Sequence, residues 1–346
     1  MTTTRTPAQD GLAMPPAWAE HARCWMAWPC REDSWGGAEE LDLARQAIAQ
    51  AARAIARFEP VTMLADPPLV AGASLACGSG VAVMPMPLDD SFVRDSGPLF
   101  VVDGKGGVAG TDWDYDGYGG LYADPARDRV FAERLLGELG MRRYAAPMVL
   151  EGGAVLIDGE GTLITTESVL LDERRNGGRD RKAVEAVLAE QLGVHRVVWL
   201  AGGLENDTTR GHVTLIAALA RPGVVLALAT NDRNDVNYPM LTENIDRLRK
   251  ATDARGRVFD IVPVPQPTAH RRDGRRMPLS YVNLHVANGA VFVPTFEDAV
   301  DDQAAQVIKS AFAEREVVRV PALDLFASGV GLTAMTLPQP AGETLV

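Results

Sequence analysis

Three segments of the sequence place an ionisable side chain inside apolar or glycine-rich surroundings. Asp95 follows Arg94 between strand-like residues and a turn, and Glu151 ends an apolar run before two glycines. His212 opens the apolar stretch 213–220. Each has a simpler structural role open to it: an ion pair with Arg94, a turn cap, or a buried core histidine. Together, two carboxylates and one imidazole would suit a planar guanidinium, and the imidazole could move the proton of an amine leaving group. These residues alone identify no nucleophile.

The sequence gives little support for a metal or a nucleotide. None of its five histidines stands three or four residues from another, so a zinc-type pair on one helix face is not available. Residues 112–117 spell the first half of a calcium loop, but the twelfth position is Ala123, where a bidentate carboxylate is required. A phosphate-cradling GxxxxGK[ST] loop does not occur. We therefore expect an ordinary turn at 112–117 and no metal site.

The charge balance narrows the class of partner. The 346 residues include 34 Lys and Arg against 46 Asp and Glu, a net charge of −12. This acidic balance argues against nucleic acid or an anionic membrane and favours a small cation. Three cysteines without a CxxC pair indicate a reducing compartment. No stretch has the pattern of a signal peptide or a membrane span, so we expect a cytoplasmic protein.

Hairpins and helices alternate along the chain. Apolar residues recur three and four apart in four segments, which predicts helices over 38–57, 125–139, 179–192 and 301–313. Short β-type runs lie between them, and the run 212–220 begins with His212. Two or three strands and then a helix recur about every 50–70 residues, which indicates a repeated α/β unit. The glycine fingerprint of a Rossmann fold is missing.

These patterns predict one continuous domain. We expect it to cover residues 14–341 after a flexible N-terminus over 1–13, because no linker-like Pro/Gly/Ser stretch divides the chain. The polar, basic segment 266–279 is expected to form an exposed loop between two units.

Several segments, in order along 14–341, resemble a known family. They are Met14-Pro15 with Trp18, Trp25-Met26-Ala27-Trp28-Pro29, VRDSGP at 93–98, Asp112-Trp113 with Gly119-Gly120, LEGG at 150–153, GEGTLITTES at 159–168, Asn206-Asp207 with Gly211-His212-Val213, and SYVN at 280–283. The sequence is similar to agmatine deiminases and bacterial peptidylarginine deiminases, of the guanidino-group-modifying superfamily. The resemblance implies an α/β pentein-type fold, a five-bladed propeller of ββαβ units with a central active-site pocket, and a place in polyamine biosynthesis.

The resemblance also implies roles for individual residues. Asp95 and Glu151 would bind the guanidinium, and His212 would be the general acid and base. A cysteine near the C-terminus would attack the guanidinium carbon and displace ammonia, and water would then hydrolyse the amidino-thioether. This chemistry needs no metal or organic cofactor. The implied partner is a small cationic guanidine-type substrate, and a homodimer is expected for an acidic enzyme of this size.

The nucleophile's position is occupied by alanine. Alignment on Thr336 places Ala334 there, and a methyl group cannot attack carbon. The context Leu332-Thr333-Ala334 is similar to the Leu-Thr-Cys of dimethylarginine hydrolases, as if an active-site strand had lost only its sulfur. This favours an engineered Cys→Ala substitution that inactivates the chain. The alternatives are a natural guanidine-binding protein without catalysis, an amidinotransferase, or a hydrolase of a substituted guanidine.

Other departures from the family concern the substrate. Thr214 and Thr208 stand where the family has acids, Thr333 where it has a histidine, and Phe92 where it has a tryptophan. A cradle with fewer carboxylates would suit a substituted, cyclic or neutral substrate better than agmatine. The candidate substrate-binding residues are Asp33, Asp89, Asp90, Phe92, Arg94, Trp113, Thr214 and Thr333.

Overall fold

The structure is a computed structural model that describes residues 5–122, 124–272 and 274–346. Ala123, the twelfth position of the half calcium loop, lies outside these residues. The loop's first aspartate, Asp112, lies in a strand and pairs with Arg143 at 2.6 Å. Within the described ranges, no helix combines the length and the apolar content needed to cross a bilayer.

The described chain contains short strands and mostly short helices. The strands are β1 His21–Ala27, β2 Val61–Ala65, β3 Ala82–Pro85, β4 Leu99–Val102, β5 Gly107–Asp114, β6 Arg143–Val149, β7 Leu156–Ile157, β8 Thr162–Thr166, β9 Arg196–Leu200, β10 Ala217–Arg221, β11 Val224–Ala229, β12 Asp260–Pro265, β13 Arg271–Arg272, β14 Arg275–Arg276, β15 His285–Ala287, β16 Ala290–Thr295, β17 Glu316–Pro321, β18 Leu337–Pro340 and β19 Glu343–Thr344. The helices are α1 Glu32–Trp35, α2 Ala38–Ile55, α3 Val70–Cys77, α4 Val93–Ser96, α5 Gly117–Gly120, α6 Phe131–Glu138, α7 Glu167–Leu170, α8 Glu173–Asn176, α9 Arg181–Leu192, α10 Tyr238–Lys250 and α11 Asp301–Ala311. Six 3₁₀ turns accompany them in the described ranges, at Ala8–Asp10, Pro67–Leu69, Asp128–Val130, Gly152–Ala154, Val213–Leu215 and Leu325–Ser328.

Four sheets contain one strand order: β4-β5-β6, β7-β8-β9, β10-β11-β12 and β15-β16-β17, and β19 also pairs with β5 in the first of them. In each, the first two strands pair antiparallel, and the third runs parallel to the second after a helical crossover. A fifth sheet joins the two ends of the chain, because β18 pairs antiparallel with β1, and β2 and β3 follow in parallel. The predicted α/β class and its repeated unit are therefore observed. The closure of these units into a five-bladed propeller stays a prediction.

The four predicted helices are present with shorter bounds, as α2, α6, α9 and α11. Helix α2 buries Leu41, Ala44, Ile48 and Ile55, which are three, four and seven residues apart. They pack in the largest apolar core cluster of the described chain. Helix α10 was not predicted. Its buried face is Leu241, Asn244 and Leu248, and the polar Asn244 interrupts the apolar pattern.

A short helical turn precedes the first strand of several sheets. Helix α4 precedes β4, the 3₁₀ turn Gly152–Ala154 precedes β7, and Val213–Leu215 precedes β10. The prediction that His212 opens a strand over 212–220 is corrected, because β10 begins only at Ala217. Asp95 lies within α4, and Glu151 and His212 each come immediately before one of the other two turns.

The expected flexible N-terminus is only partly tested, because residues 1–4 lie outside the described ranges. The described residues of that segment make contacts with the rest of the chain, and its flexibility stays a prediction. Leu12 is 2% exposed, and the backbone amide of Ala13 donates to the carbonyl of Val102 at 2.9 Å. The hydroxyl of Tyr144 also donates to the carboxylate of Asp10 at 2.7 Å. Apolar burial and backbone pairing therefore hold this segment against β4 and its neighbours.

Candidate active site

Asp95 is fixed by two hydrogen bonds in a buried position on α4. Its Oδ1 accepts from the backbone amide of Gly153 at 2.8 Å, and its Oδ2 accepts from the hydroxyl of Tyr118 at 2.8 Å. Burial raises the pKa of Asp95, and the nearby His212 opposes that rise. Tyr118 has a φ of 61°, which is strained for an aromatic residue. In this backbone conformation, the hydroxyl of Tyr118 reaches the carboxylate of Asp95.

Glu151 shares a fully buried ion pair with Arg175 of α8. Its Oε1 accepts from the Nε of Arg175 at 2.7 Å, and another guanidinium nitrogen donates to the carbonyl of Thr209 at 2.8 Å. Burial alone would raise the pKa of Glu151, but Arg175 and His212 together lower it below its ordinary value. Glu151 is therefore held as a carboxylate.

His212 lies between the two carboxylates. Its Nδ1 is 3.8 Å from Asp95 Oδ1, and its Nε2 is 3.7 Å from Glu151 Oε2. Both distances exceed a hydrogen bond. Burial lowers the pKa of His212, but Asp95, Glu151 and Asp207 raise it, and the net shift is upward. We call Asp95, Glu151 and His212 the site triad.

Gly153 allows the triad to assemble. A Cβ at this position would lie 2.4 Å from His212 Nδ1 and 3.0 Å from Asp95 Oδ1. Only glycine leaves room for both groups while its amide donates to Asp95. The two glycines after Glu151 in the sequence signalled this close approach.

Three buried polar atoms around the triad have no hydrogen-bond partner. They are Glu151 Oε2, His212 Nε2 and Asp207 Oδ2. Such atoms are costly unless something else satisfies them. Two are carboxylate oxygens that accept hydrogen bonds, and guanidinium N–H groups would supply the donors.

Ala334 is tied to the triad through the backbone. The amide of Arg94, next to Asp95, donates to the carbonyl of Ala334 at 3.0 Å. The prediction of an active-site strand at this position is corrected. The amides of Ala334, Met335 and Thr336 donate to carbonyls three residues earlier, which makes a turn, and β18 begins only at Leu337.

Asn283 connects the turns that carry the site. Its Nδ2 donates to the carbonyl of Thr214 at 3.1 Å, and its Oδ1 accepts from the amide of Thr333 at 3.0 Å. The Thr214 hydroxyl donates to the carbonyl of Gly153 at 3.1 Å, and that of Thr333 to the carbonyl of Leu284 at 3.1 Å. Thr214 and Thr333 therefore support the site through backbone contacts.

The rings of Trp35, Phe92 and Tyr118 lie against one another beside the triad, and we call them the aromatic wall. Asp90 lies next to it. The Phe92 ring lies 6.1 Å from that of Tyr118, which meets the His212 ring edge-on at 5.7 Å. Asp90 Oδ1 accepts from the indole N–H of Trp35 at 3.2 Å, while its Oδ2 has no partner. Burial raises the pKa of Asp90. Asp90 is therefore the acid next to this wall that retains free hydrogen-bonding capacity.

The other candidate residues have contacts elsewhere. Asp33 is 68% exposed at its side chain and pairs with Arg31 at 2.6 Å. Asp89 accepts from the amides of residues 127 and 128, and Trp113 donates to Thr111 at 2.8 Å within a separate apolar cluster. Arg94 does contact the site, because its Nε donates to the carbonyl of Thr336 at 2.8 Å and so holds the turn of Ala334.

Sequence reasoning missed Tyr118, Arg175, Thr209 and Asn283. Asn283 had a signal, because it ends the SYVN segment. Arg175 had none, because it lies 24 residues from Glu151 in a stretch of four charged residues. Its role depends on where α8 packs.

Comparisons with known proteins agree with this geometry. The sequence profile of the Porphyromonas-type peptidyl-arginine deiminase family matches residues 13–340. The chain is 40% identical to agmatine deiminase of Stutzerimonas stutzeri over 365 residues, covering 98% of each chain, and 38% identical to that of Ectopseudomonas mendocina over 366 residues, covering 99% of each. A solved structure of agmatine deiminase from Enterococcus faecalis superimposes with a TM-score of 0.95 at 29% identity, covering 98% of this chain and 99% of the other.

These matches cover nearly the whole chain, and they confirm the pentein-type α/β fold and the family that the motifs indicated. The chain is therefore a member of the agmatine deiminase family, within the Porphyromonas-type peptidyl-arginine deiminases.

Proposed function

We propose that the site triad binds a guanidinium for C–N hydrolysis, and that this chain is the form of such a hydrolase without its nucleophile. The observation that carries the proposal is the placement of two buried carboxylates on either side of one buried imidazole, with unsatisfied atoms on two of the three. The free oxygen of Glu151 is buried, and an N–H group of a planar cation would satisfy it.

The roles follow from the contacts. Asp95 and Glu151 hold the guanidinium, and His212 moves protons at the reacting carbon. With a cysteine at position 334, the thiolate sulfur would bond to the guanidinium carbon. The C–N bond would then break, and ammonia would leave with a proton from His212. Water deprotonated by His212 would next attack the same carbon and expel the thiolate, giving a ureido product. With Ala334, the chain binds and stops before the first bond forms.

The threonines at the site bear on the substrate. Thr214 and Thr208 use their hydroxyls on the carbonyls of Gly153 and Gly329, and neither brings a negative charge. The proposed substrate is therefore a guanidine with more substituents on nitrogen than the single chain of agmatine, bound in preference to agmatine. Amidino transfer remains the variant of this chemistry in which an amine replaces the water.

A second candidate is a guanidine-binding protein without turnover. The Asn283 network favours it, because Thr214 and Thr333, two departures from the family, both take part in the same set of hydrogen bonds. On this alternative, Ala334 is native and the pocket binds only.

One substitution separates these candidates. Ala334→Cys is compared with the chain as given and with Ala334→Ser, using release of ammonia or of the substituted amine from agmatine and from guanidines with further N-substituents. Hydrolysis predicts ammonia and a ureido product only in the Ala334→Cys variant. Product only when an amine is added indicates amidino transfer. Ligand binding by calorimetry without turnover in that variant supports the second candidate, and absence of binding in all three proteins overturns both.

Compartment and assembly complete the proposal. The three described cysteines are free, two of them buried, which fits the reducing cytoplasm. A homodimer is proposed on size and symmetry alone. Light scattering of the purified chain measures its assembly state directly.

A further inference from the structure

A second buried cluster lies apart from the site triad. Glu59, which follows α2, lies between His21 of β1 and His285 of β15, and Cys24 of β1 lies beside them. The ligand atoms of Cys24, Glu59 and His285 lie within 4.8 Å of one another, and all three residues are buried. We call these four residues the Glu59 cluster. The proposed hydrolysis does not use it.

We propose that Cys24, Glu59 and His285 form a binding site for a zinc-type divalent cation. A thiolate sulfur, an imidazole nitrogen and a carboxylate oxygen are the set of ligands that Zn²⁺ takes in proteins. His285 Nε2 and Glu59 Oε1 are 3.4 Å apart. Two ligands of a tetrahedral zinc at about 2.0–2.1 Å from the metal are separated by about 3.4 Å, so this pair already has the required spacing.

The surrounding contacts orient the carboxylate for this role. Its second oxygen, Oε2, accepts from His21 Nδ1 at 3.0 Å and from the amide of Asn288 at 2.9 Å. Such outer contacts fix a metal-binding carboxylate. Its other oxygen, Oε1, makes a long contact of 3.4 Å with His285 Nε2, which a metal bound between the two atoms would replace. Cys24 has only a weak contact of 3.6 Å from its thiol to the carbonyl of Trp25, so little is lost when the thiol becomes a ligand.

The charges also balance. Binding replaces the thiol proton of Cys24, which leaves to solvent. The imidazole of His285 would bind through Nε2 and carry its single proton on Nδ1, a buried atom with no hydrogen-bond partner among the described residues. One thiolate and one carboxylate then neutralise the two charges of the metal, so Arg94, which acts electrostatically on both Cys24 and His285, faces a neutral site.

A cavity lies beside His21 of the cluster, and its walls include His21, Arg94, Thr214 and Thr333. Cys24, Glu59 and His285 do not line it. Three protein ligands would leave the fourth position of a tetrahedral zinc open for one water. His21 lines the cavity and holds Glu59, so it is a positioning residue in this assignment.

The test uses Co²⁺ as the probe, because a cobalt–thiolate bond absorbs in the near ultraviolet. Metal-stripped full-length protein is titrated with Co²⁺ alone and then with Zn²⁺. We expect saturation near one equivalent, a thiolate charge-transfer band, and its loss as Zn²⁺ displaces Co²⁺. The matched control is Cys30→Ser with Cys77→Ser, which leaves Cys24 as the sole thiol and should keep the band.

Two variants make the assignment falsifiable. Cys24→Ser should lose the band, and Glu59→Gln should weaken Co²⁺ binding at least tenfold with circular dichroism unchanged. If either variant fails to fold, the other together with the double control decides. No band in the unmodified chain, a band kept by Cys24→Ser, or a band lost in the double control each overturns the proposal.

Discussion

The molecule holds two buried sets of carboxylate and imidazole that behave in opposite ways. In the site triad, one imidazole lies between two carboxylates, and the pKa of His212 is raised because Asp95, Glu151 and Asp207 outweigh burial. In the Glu59 cluster, one carboxylate is shared by two imidazoles. There burial dominates and lowers the pKa of His285, with His21 and Arg94 acting in the same direction.

The difference shows how burial and neighbouring charges together set the protonation state of a buried imidazole. A surplus of acid makes His212 a proton donor and leaves carboxylate oxygen free for a cation. A surplus of imidazole keeps His285 neutral, which is the form that binds a metal. The same residue types therefore suit the different chemistry proposed for the two clusters, because burial and neighbouring charges act on them differently.

The largest effect is expected from removing Arg175, the cation that balances the negative charge of the triad. Arg175→Met should destabilise the fold by about 3–5 kcal/mol, because Glu151 would remain buried without its partner. Chemical denaturation measures the free energy of unfolding. Arg174→Met is the matched control, since Arg174 is 57% exposed and pairs with Asp172 near solvent, and it should cost no more than about 1 kcal/mol. Equal costs for the two variants would contradict a charge-balanced triad.

The second test breaks the triad's geometry and leaves the Glu59 cluster intact. Gly153→Ala should cost about 1–3 kcal/mol of stability and abolish binding of a guanidine ligand, because its Cβ would meet His212 Nδ1 at 2.4 Å. Gly137→Ala in α6 is the control, since a Cβ there meets nothing within 4 Å and favours the helix. Ligand binding by calorimetry and Co²⁺ titration are compared. Retained guanidine binding in Gly153→Ala would show that the triad does not bind the ligand.

The third test measures the pKa values of His212 and His285 directly. In metal-free protein, NMR titration should place the pKa of His212 above about 6.5 and that of His285 below it. The stabilisation due to His212 is then complete below about pH 6.5 and is lost as the pH rises through its folded pKa. The contribution of His285 has the opposite sign, because only the unfolded chain takes up its proton, and stability falls as the pH drops below about 6.5.

Variants separate these contributions to the stability profile. His212→Asn should remove the decline in melting temperature on the alkaline side, and His285→Asn the decline on the acidic side. If both histidines titrate on the same side of 6.5, the contrast between the clusters is wrong.

The sequence predicted the parts of the molecule that depend on local pattern. Helices α2, α9 and α11 have apolar faces of regular spacing. Asp95, Glu151 and His212 each lie in a short segment of the sequence that contains glycine. Strand β5 was not predicted. Gly110 lies within β5, where a Cβ would come 2.4 Å from Leu136 of α6. The helix packs so closely that the strand needs a glycine there, and this interrupts the residue pattern by which a strand is recognised.

Contacts between distant segments could not be predicted from spacing. The partners Glu151 and Arg175 lie on separate elements, and His285 meets Glu59 across 226 residues. Neither residue's type showed which partner the fold would supply, because buried ion pairs depend on packing. The strand predicted at Ala334 was wrong for a related reason: backbone hydrogen bonds across three residues bend the segment before β18 begins.

The smallest expected effect concerns acids outside both clusters. Asp90→Asn should weaken binding of a guanidine with a cationic tail by about three- to tenfold, because Asp90 Oδ2 is buried, unpartnered and next to the Phe92 wall. Asp33→Asn is the control and should change affinity less than about twofold, since its side chain is exposed and already pairs with Arg31. A guanidine with a neutral tail should not distinguish Asp90→Asn from the unmodified chain. If it does, Asp90 supports the aromatic wall through Trp35 and makes no charge contact with the ligand, and a cationic tail would have to be bound by some other acid.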